Sequence, residues 1–599
     1  MPSLGTVSRI EAALLGSVLV FLTAVSAWFL VLRFSIGWPL DAVFAAAIVV
    51  VAGTRALQTG VATERARHDS LLLSFAVIAV AVAWVISTYW AGVVLPGHDP
   101  ILVPTIADRI ATGVLPSETY KPGDNAYAYP PGYPIAFIPI LSILDKIPAL
   151  TAFKTMSLLT AALIPASWAW LVTRLFPIST PTWTSLLLSY VAFFGVERMV
   201  LFGATGKNAT YLMLLLAPPT ILLMLQMSER WRDASIGVLA LFGLLLIHYS
   251  ALHLIMCIIV GWAVVELMRR NLDIRRLIVL AMMGVAAAAM LLLLYGEVLA
   301  DPRAGSFRYT DVTTALGNMF QAMTAESSPL LVVFHEVEVL GLARSPYRGA
   351  LLLASAGIAF ASWFLLRTRD AANIAAGAFA FLIAALCALA MATDLIPARI
   401  LPDYVRWFLW TIQGALILSG GLSIMVLITA MSTRRLLAGA CAVIALTAAG
   451  FTALKDSIQF RRANAWLAIH RNELQQFRTV LLRARDPQRP CFLIGHSEVD
   501  ILQAFFVHQA FIFGYAEFLT PCKFANGGWI RGPVLDGRSL DGYPSTAAVR
   551  ELLQEGSVLF VGDVDARNAY ASRLGSEFDW SDTGDFSGHH LWRLESRGQ

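Results

Sequence analysis

The sequence predicts an α-helical polytopic membrane protein that ends in a small α/β or α+β domain, and three observations carry that prediction. Of 599 residues, 57% are hydrophobic and only 14% are charged, a balance that points to the bilayer as solvent. Apolar runs such as 10–32, 71–94 and 277–295 have the length of about 20 residues at which a helix crosses hydrocarbon. These runs are solidly apolar instead of alternating, which excludes a transmembrane barrel by period. Only helices or closed barrels satisfy their own backbone in lipid.

The run at 10–33 is longer than the core of a typical signal peptide and is closely followed by a second apolar run, so it reads as a retained helix. Continuing along the chain gives about 13 crossings, near 10–33, 39–56, 71–94, 150–173, 181–196, 208–227, 235–250, 251–268, 277–298, 347–366, 372–392, 405–430 and 436–454. The apolar stretch 133–144 is short for a crossing and is expected to lie in the interface or to re-enter. Basic residues mark cytoplasmic loops. Arg65 and Arg67, Arg269 and Arg270 with Arg275 and Arg276, Arg367 and Arg369, and Arg434 and Arg435 therefore fix the expected orientation. It puts the N-terminus inside and three polar regions outside: 95–132, 299–346 and the C-terminal part. The division is a membrane domain over 1–454 and an extracytoplasmic domain over 455–599.

That last domain opens with an amphipathic pattern at 461–485. Strand-like runs at 491–495, 557–561 and 590–594 follow, separated by helical ones. Cys491 and Cys522 lie in it, where an oxidising exterior would permit a disulfide, whereas Cys257, Cys387 and Cys441 sit in apolar runs. The formal net charge is +4, and the basic residues form no aromatic-interleaved groove, which argues against a nucleic-acid partner. No internal repeat is evident.

The most informative segment follows the third run. It reads Gly97-His98-Asp99-Pro100 and closes with Tyr127-Ala128-Tyr129-Pro130-Pro131-Gly132-Tyr133-Pro134. Asp99 before Pro100 is a good helix start and Gly113 a good stop. Between them Ile101, Ile106 and Ile110 lie opposite Asp108 and Arg109, the pattern of a helix lying in the headgroup layer.

In this acidic loop, its Tyr/Pro-rich turn and the later His248-Tyr249-Ser250, the sequence resembles the GT-C superfamily of polyprenyl-phosphate-sugar glycosyltransferases. Actinobacterial arabinofuranosyltransferases that start arabinan on galactan look similar in helix count, in the Tyr-Pro-Pro-Gly element and in the C-terminal domain. The chain departs from many members in two respects. Two helices precede the one before the loop, and His98-Asp99 stands where several branches carry paired acids, leaving the base open between the two residues. No Trp-Trp-Asp signature is present, which disfavours transfer of a whole glycan to asparagine. The resemblance implies an integral protein of a bacterial inner or plasma membrane that works in cell-envelope biogenesis. Its partners would be membrane lipids, a polyprenyl-phosphate sugar as donor, and a glycan, lipid or protein hydroxyl as acceptor.

Such a transfer needs a base on the acceptor hydroxyl as it attacks the anomeric carbon from the face opposite the phosphate, with inversion. Asp99 is the candidate, with His98 beside it. The leaving phosphate stays anionic and needs cations or hydrogen-bond donors. Arg406, Lys207, His248, His253 and Arg399 lie at external helix ends and are the candidates, Arg406 first because a helix N-terminus adds partial positive charge. Tyr127, Tyr129 and Glu118 are the candidates for acceptor or sugar contact. No cofactor is required by this scheme. One divalent-ion arrangement exists, His335 with Glu336 and Glu338, but oxygen-ligand ions usually recruit more carboxylates.

Structural readings stand beside these roles. Asp99 is equally placed to cap its helix, and Arg406 and Lys207 to snorkel toward headgroups. A transporter or flippase would share the many crossings, but it usually shows paired repeats and a midplane site. An O-antigen-type polymerase or ligase would share the external arginines but does not predict so early an acidic loop.

Overall fold

The computed structural model of the protein describes residues 9–34, 99–111, 130–178, 185, 188–190, 192–193, 208–229, 231–299, 348–392, 402–430, 471–495, 522–524, 543–562, 564–586 and 589–597. The helices of the first part are α1 (Arg9–Arg33), α2 (Asp99–Ala111), α3 (Gly132–Ile143), α4 (Lys146–Leu175), α5 (Asn208–Met227), α6 (Trp231–Ile247), α7 (Ala251–Met268), α8 (Ile274–Leu299), α9 (Arg348–Leu366), α10 (Arg369–Ala392) and α11 (Pro402–Ala430). Seven of them, α1, α4, α5, α7, α8, α10 and α11, are long and apolar enough to cross a membrane. The apolar stretches of α6 and α9 are shorter, as is α3. The expected crossings 39–56, 71–94 and 436–454 lie outside the described residues, and 181–196 is described only in part.

Several polar side chains in these spans find a backbone carbonyl. Thr23 donates to Leu19 O at 2.7 Å, Ser157 to Phe153 O at 2.8 Å and Ser419 to Ala415 O at 2.9 Å, all one turn back in their own helix. Pro218 and Pro219 inside α5 bring no N–H to the carbonyls of Leu214 and Leu215. The neighbouring helix fills that gap. Trp168 Nε1 donates to Leu214 O at 3.0 Å and Ser167 Oγ to Leu215 O at 2.7 Å.

Helix α6 is central, packing against α1, α5 and α8, while α7, α9 and α11 all pack on α10. The bundle thus has two ends. At one, Arg174 of α4 forms a buried ion pair with Glu11 of α1, which also accepts from Trp170 Nε1 at 2.8 Å. Arg269 beyond α7 donates to Asn373 Oδ1 of α10 at 2.8 Å, and Arg276 of α8 reaches Leu225 O, 3.1 Å from its Nε, beside Ser228. Arg270 and Arg367 take up left-handed φ values of 56° and 50° where α7 and α9 stop, the conformation that ends many helices. At the other end lie the start of α3, the α6–α7 turn and the start of α4, with α2 packed along α3.

The C-terminal part adds α12 (Arg471–Ala484), β1 (Cys491–Gly495), β2 (Lys523–Phe524), α13 (Thr546–Glu555), β3 (Ser557–Gly562), α14 (Val564–Leu574), β4 (Phe578–Phe586) and β5 (His589–Ser596). The five strands form one mixed sheet in the order β2-β1-β3-β5-β4, with β1 parallel to β2 and β3 and the rest antiparallel. Alternation divides its side chains between two layers. Leu493, Leu559, Val561 and Leu591 face the cluster of Leu474, Phe477 and Leu481 on α12. Ile494, Val558, Phe560, Trp592 and Leu594 face Val549, Tyr570 and Leu574 on α13 and α14. Cys491 and Cys522 form a disulfide between β1 and the start of β2, with Cα atoms 4.5 Å apart. Buried Tyr570 donates to Pro544 O at 2.8 Å, and burial pushes its phenol pKa well above the usual value.

The three strands read from sequence coincide with β1, β3 and β5. Strand β4 was not read, because Asp579, Asp582, Gly584 and Asp585 give it a turn-like composition. It is held as an edge strand by pairing along β5, and Trp580 packs edge-on against Phe560 at 5.5 Å.

Candidate functional site

The start of α3 is seated on the last turn of α6 more closely than a side chain allows. A Cβ placed on Gly132 would lie 2.7 Å from Ile247 N and from Leu246 C, so only glycine permits this approach. The ring of Tyr133, fully buried, then meets Phe153 of α4 edge-on at 5.8 Å. The Pro130-Pro131-Gly132-Tyr133 turn is thereby locked beside the residue that follows α6, which is His248.

His248, Tyr249 and Ser250 form the tight turn from α6 into α7. His248 N donates to Leu244 O at 3.0 Å, and Ala251 N to His248 O at 3.0 Å. The imidazole is buried, 5% exposed, and its Nδ1 lies 2.5 Å from Ser250 Oγ. That contact fixes the ring's rotation and sets its Nε2 edge away from the turn. Tyr249 sits with its ring 6.2 Å from that of Tyr295 on α8. The turn is therefore braced on both sides, by α3 and by α8.

Helix α2 begins at Asp99, one residue earlier than a cap assignment places it, a difference within the usual uncertainty of helix ends. Of the expected apolar face, Ile106 and Ile110 are buried, together with Val103 and Ala107, while the side chain of Ile101 lies outside the described residues. The partner of that face is protein, since α2 packs on α3 and touches α4 and α5. Asp108, on the polar face, pairs with Lys146 Nζ at 2.9 Å, tying the last turn of α2 to the point where α3 hands over to α4.

Among the predicted site residues, the structure thus gives a full setting to His248 alone. His253 is half-buried one turn into α7, and Asp99 and Arg406 are placed by backbone as the first residue of α2 and the fifth of α11. His98, Glu118, Tyr127, Tyr129, Lys207 and Arg399 lie outside the described residues, as do His335, Glu336 and Glu338. Lys207 directly precedes α5, whose start is on the same side of the bundle as the α6–α7 turn. Among the described residues no group of three His, Cys, Asp or Glu side chains is arranged to hold a metal. Two features escaped sequence reasoning. The hydroxyl two residues after His248 was visible but not recognised as the imidazole's partner, and the Asp108–Lys146 pair joins residues too distant in sequence for spacing to reveal.

The solved structures that this fold is similar to include ArnT from Cupriavidus metallidurans bound to undecaprenyl phosphate, with 11% identity, 87% of this chain and 97% of that chain covered, and a TM-score of 0.48. Another is the archaeal oligosaccharyltransferase AglB from Archaeoglobus fulgidus in complex with an inhibitory peptide and a dolichol-phosphate, with 13% identity, 88% and 74% coverage and a TM-score of 0.43. No protein-family model and no curated protein matches the chain.

Proposed function

We propose that the chain is an inverting glycosyltransferase of the GT-C type that moves a sugar from a polyprenyl phosphate to an acceptor hydroxyl outside the membrane. The observation that carries this reading is the meeting of the Tyr/Pro turn with the His248 turn at Gly132, at the bundle end opposite Arg174, Arg269 and Arg276. By the positive-inside rule the arginine-rich end is cytoplasmic, and the Gly132–His248 end, with the C-terminal sheet, is outside.

In this scheme the Asp99 carboxylate takes the acceptor proton as the oxygen attacks the anomeric carbon, with His98 as the alternative base. His248, held through Nδ1 by Ser250, presents its other nitrogen to the departing phosphate. Arg406 and Lys207 meet it from the starts of α11 and α5, with His253 and Arg399 as further donors. Tyr127, Tyr129 and Glu118 orient the acceptor. The pentose branch of the family is the proposed home of the sugar. The scheme routes no step through a metal ion.

The test is transfer in vitro from a set of polyprenyl-phosphate sugars, wild type against Asp99→Asn. The expected result is a fall in rate of roughly 10²–10⁴-fold, the share that a positioned base supplies, with donor binding retained. Equal transfer by both proteins removes Asp99 as the base. Absence of transfer by either, together with solute transport that persists in the variant, overturns the enzyme reading.

A further inference from the structure

A groove of 640 Å³ opens beside α4, where Ile140 of α3, Pro148, Ala152, Thr155 and Leu159 of α4, and Arg471 of α12 contribute to its wall. The volume falls in the range of about 300–1,000 Å³ that holds a small ligand. From Pro148 to Leu159 the axis of α4 rises about 16 Å, which is about half of a 30 Å hydrocarbon core. The groove therefore has the length of one leaflet. Its apolar wall belongs to a helix that reads as a membrane span.

Arg471 is the one charged residue in this wall. Two described carboxylates at this end of the bundle are engaged elsewhere: Asp108 pairs with Lys146 at 2.9 Å and Asp145 with Arg478 at 3.3 Å. Arg471 itself forms no ion pair among the described residues. Arg471 is an exposed residue, so its guanidinium is open to an anion that reaches the groove. A phosphate is its best-matched partner, through two parallel N–H donors.

The geometry points to a binding site for one anionic phospholipid of the outer leaflet, its acyl chain along α4 and its phosphate on Arg471. Its location outside rests on the orientation given above, but its existence does not depend on catalysis. The site is separate from the His248 turn, since Ile140 lies about 12 Å along α3 from Gly132. Through Arg471 the lipid would bridge the membrane helices and the helix that carries the C-terminal sheet, beside the exposed Arg478–Asp145 pair.

The experiment reconstitutes the full chain in nanodiscs of mixed phosphatidylglycerol and phosphatidylcholine and measures, by native mass spectrometry, which lipid stays bound on release. Wild type is expected to retain phosphatidylglycerol over phosphatidylcholine by about tenfold, the scale of one charge-assisted contact. Arg471→Gln is expected to bring that ratio close to one while lipid still binds. Thr155→Trp, at an exposed position on the groove wall, is expected to reduce retention of both lipids. Arg478→Gln is expected to keep the preference. Size-exclusion profiles establish that each variant is folded, and the two groove variants read the site independently.

Equal retention of the two lipids by wild type overturns the proposal, as does an unchanged ratio in Arg471→Gln. Displacement of phosphatidylglycerol by undecaprenyl phosphate at equal concentration would assign the groove to a donor lipid instead. Loss of the enrichment on adding millimolar inorganic phosphate would reduce it to a bare anion contact. None of these readouts uses glycosyl transfer, so their failure and that of the enzyme reading are distinguishable.

Discussion

At one end of the bundle, arginine side chains reach across helix boundaries: Arg174 to Glu11, Arg269 to Asn373, Arg276 to Leu225 O. At the other, the main fastening is backbone against backbone, Gly132 on Leu246 and Ile247, with the buried His248 held through Ser250. Long charged side chains tolerate small displacements, since they pivot to keep their contacts. A glycine contact at van der Waals limit does not, because any added atom must move a helix. One end is thus built to hold, and the other to hold something in register.

The largest expected effect belongs to the first end. Glu11→Ala leaves the Arg174 guanidinium without its carboxylate in a mostly buried setting, where Glu11 and Arg174 side chains are only 4% and 16% exposed. Removing one partner of such a pair costs about 3–5 kcal/mol. The expected outcome is a marked fall in thermal stability in detergent, with activity per folded molecule within about twofold of wild type. A loss of activity well beyond the loss of folded protein would break the division between the ends.

Gly132→Ala is expected to act in the opposite sense. The new Cβ must displace the start of α3 from α6, an overpacking that costs about 1–3 kcal/mol. Because the displacement falls between the Tyr/Pro turn and His248, transfer is expected to drop by roughly 10- to 100-fold, the scale of a misplacement near 1 Å. Steady-state kinetics beside a melting curve separates the two effects. A variant with a lower melting temperature and normal turnover would show that this contact is scaffold only.

The helices were legible because hydrocarbon demands long apolar runs and leaves few alternatives: the expected 208–227 and 251–268 coincide with α5 and α7. Strands β1 and β3 were legible because their burial on both faces leaves continuous apolar runs, and β5 because Leu591, Trp592 and Leu594 stand together in a polar stretch. What could not be read were contacts between distant segments. Pro218 and Pro219 announce a break in α5, yet nothing local says that Ser167 and Trp168 would satisfy the freed carbonyls. The Tyr-Pro-Pro-Gly element showed that a turn was needed, but its glycine is required by α6, which lies over a hundred residues later. The groove beside α4 had no signal at all, because Arg471 reads simply as one more basic residue within the amphipathic pattern at 461–485.

The smallest expected effect tests the second end most finely. Ser250 Oγ lies 2.5 Å from His248 Nδ1, and Ser250 is itself buried at 2% exposure. Ser250→Ala keeps the turn, since the backbone bonds from Ala251 N to His248 O and from Leu254 N to Ser250 O do not involve the hydroxyl. The side-chain bond is worth about 1 kcal/mol. A fall in kcat/KM of about five- to tenfold is therefore expected, with little change in melting temperature. A purely structural hydroxyl and a positioning one differ in two further readouts. If Ser250 positions the imidazole, the pH–rate profile of Ser250→Ala moves on the limb set by His248, and Ser250→Thr, which restores an oxygen at the same place, recovers most of the rate. If the profile is unmoved and threonine gives no recovery, His248 does not act through this bond, and the turn belongs with the scaffold.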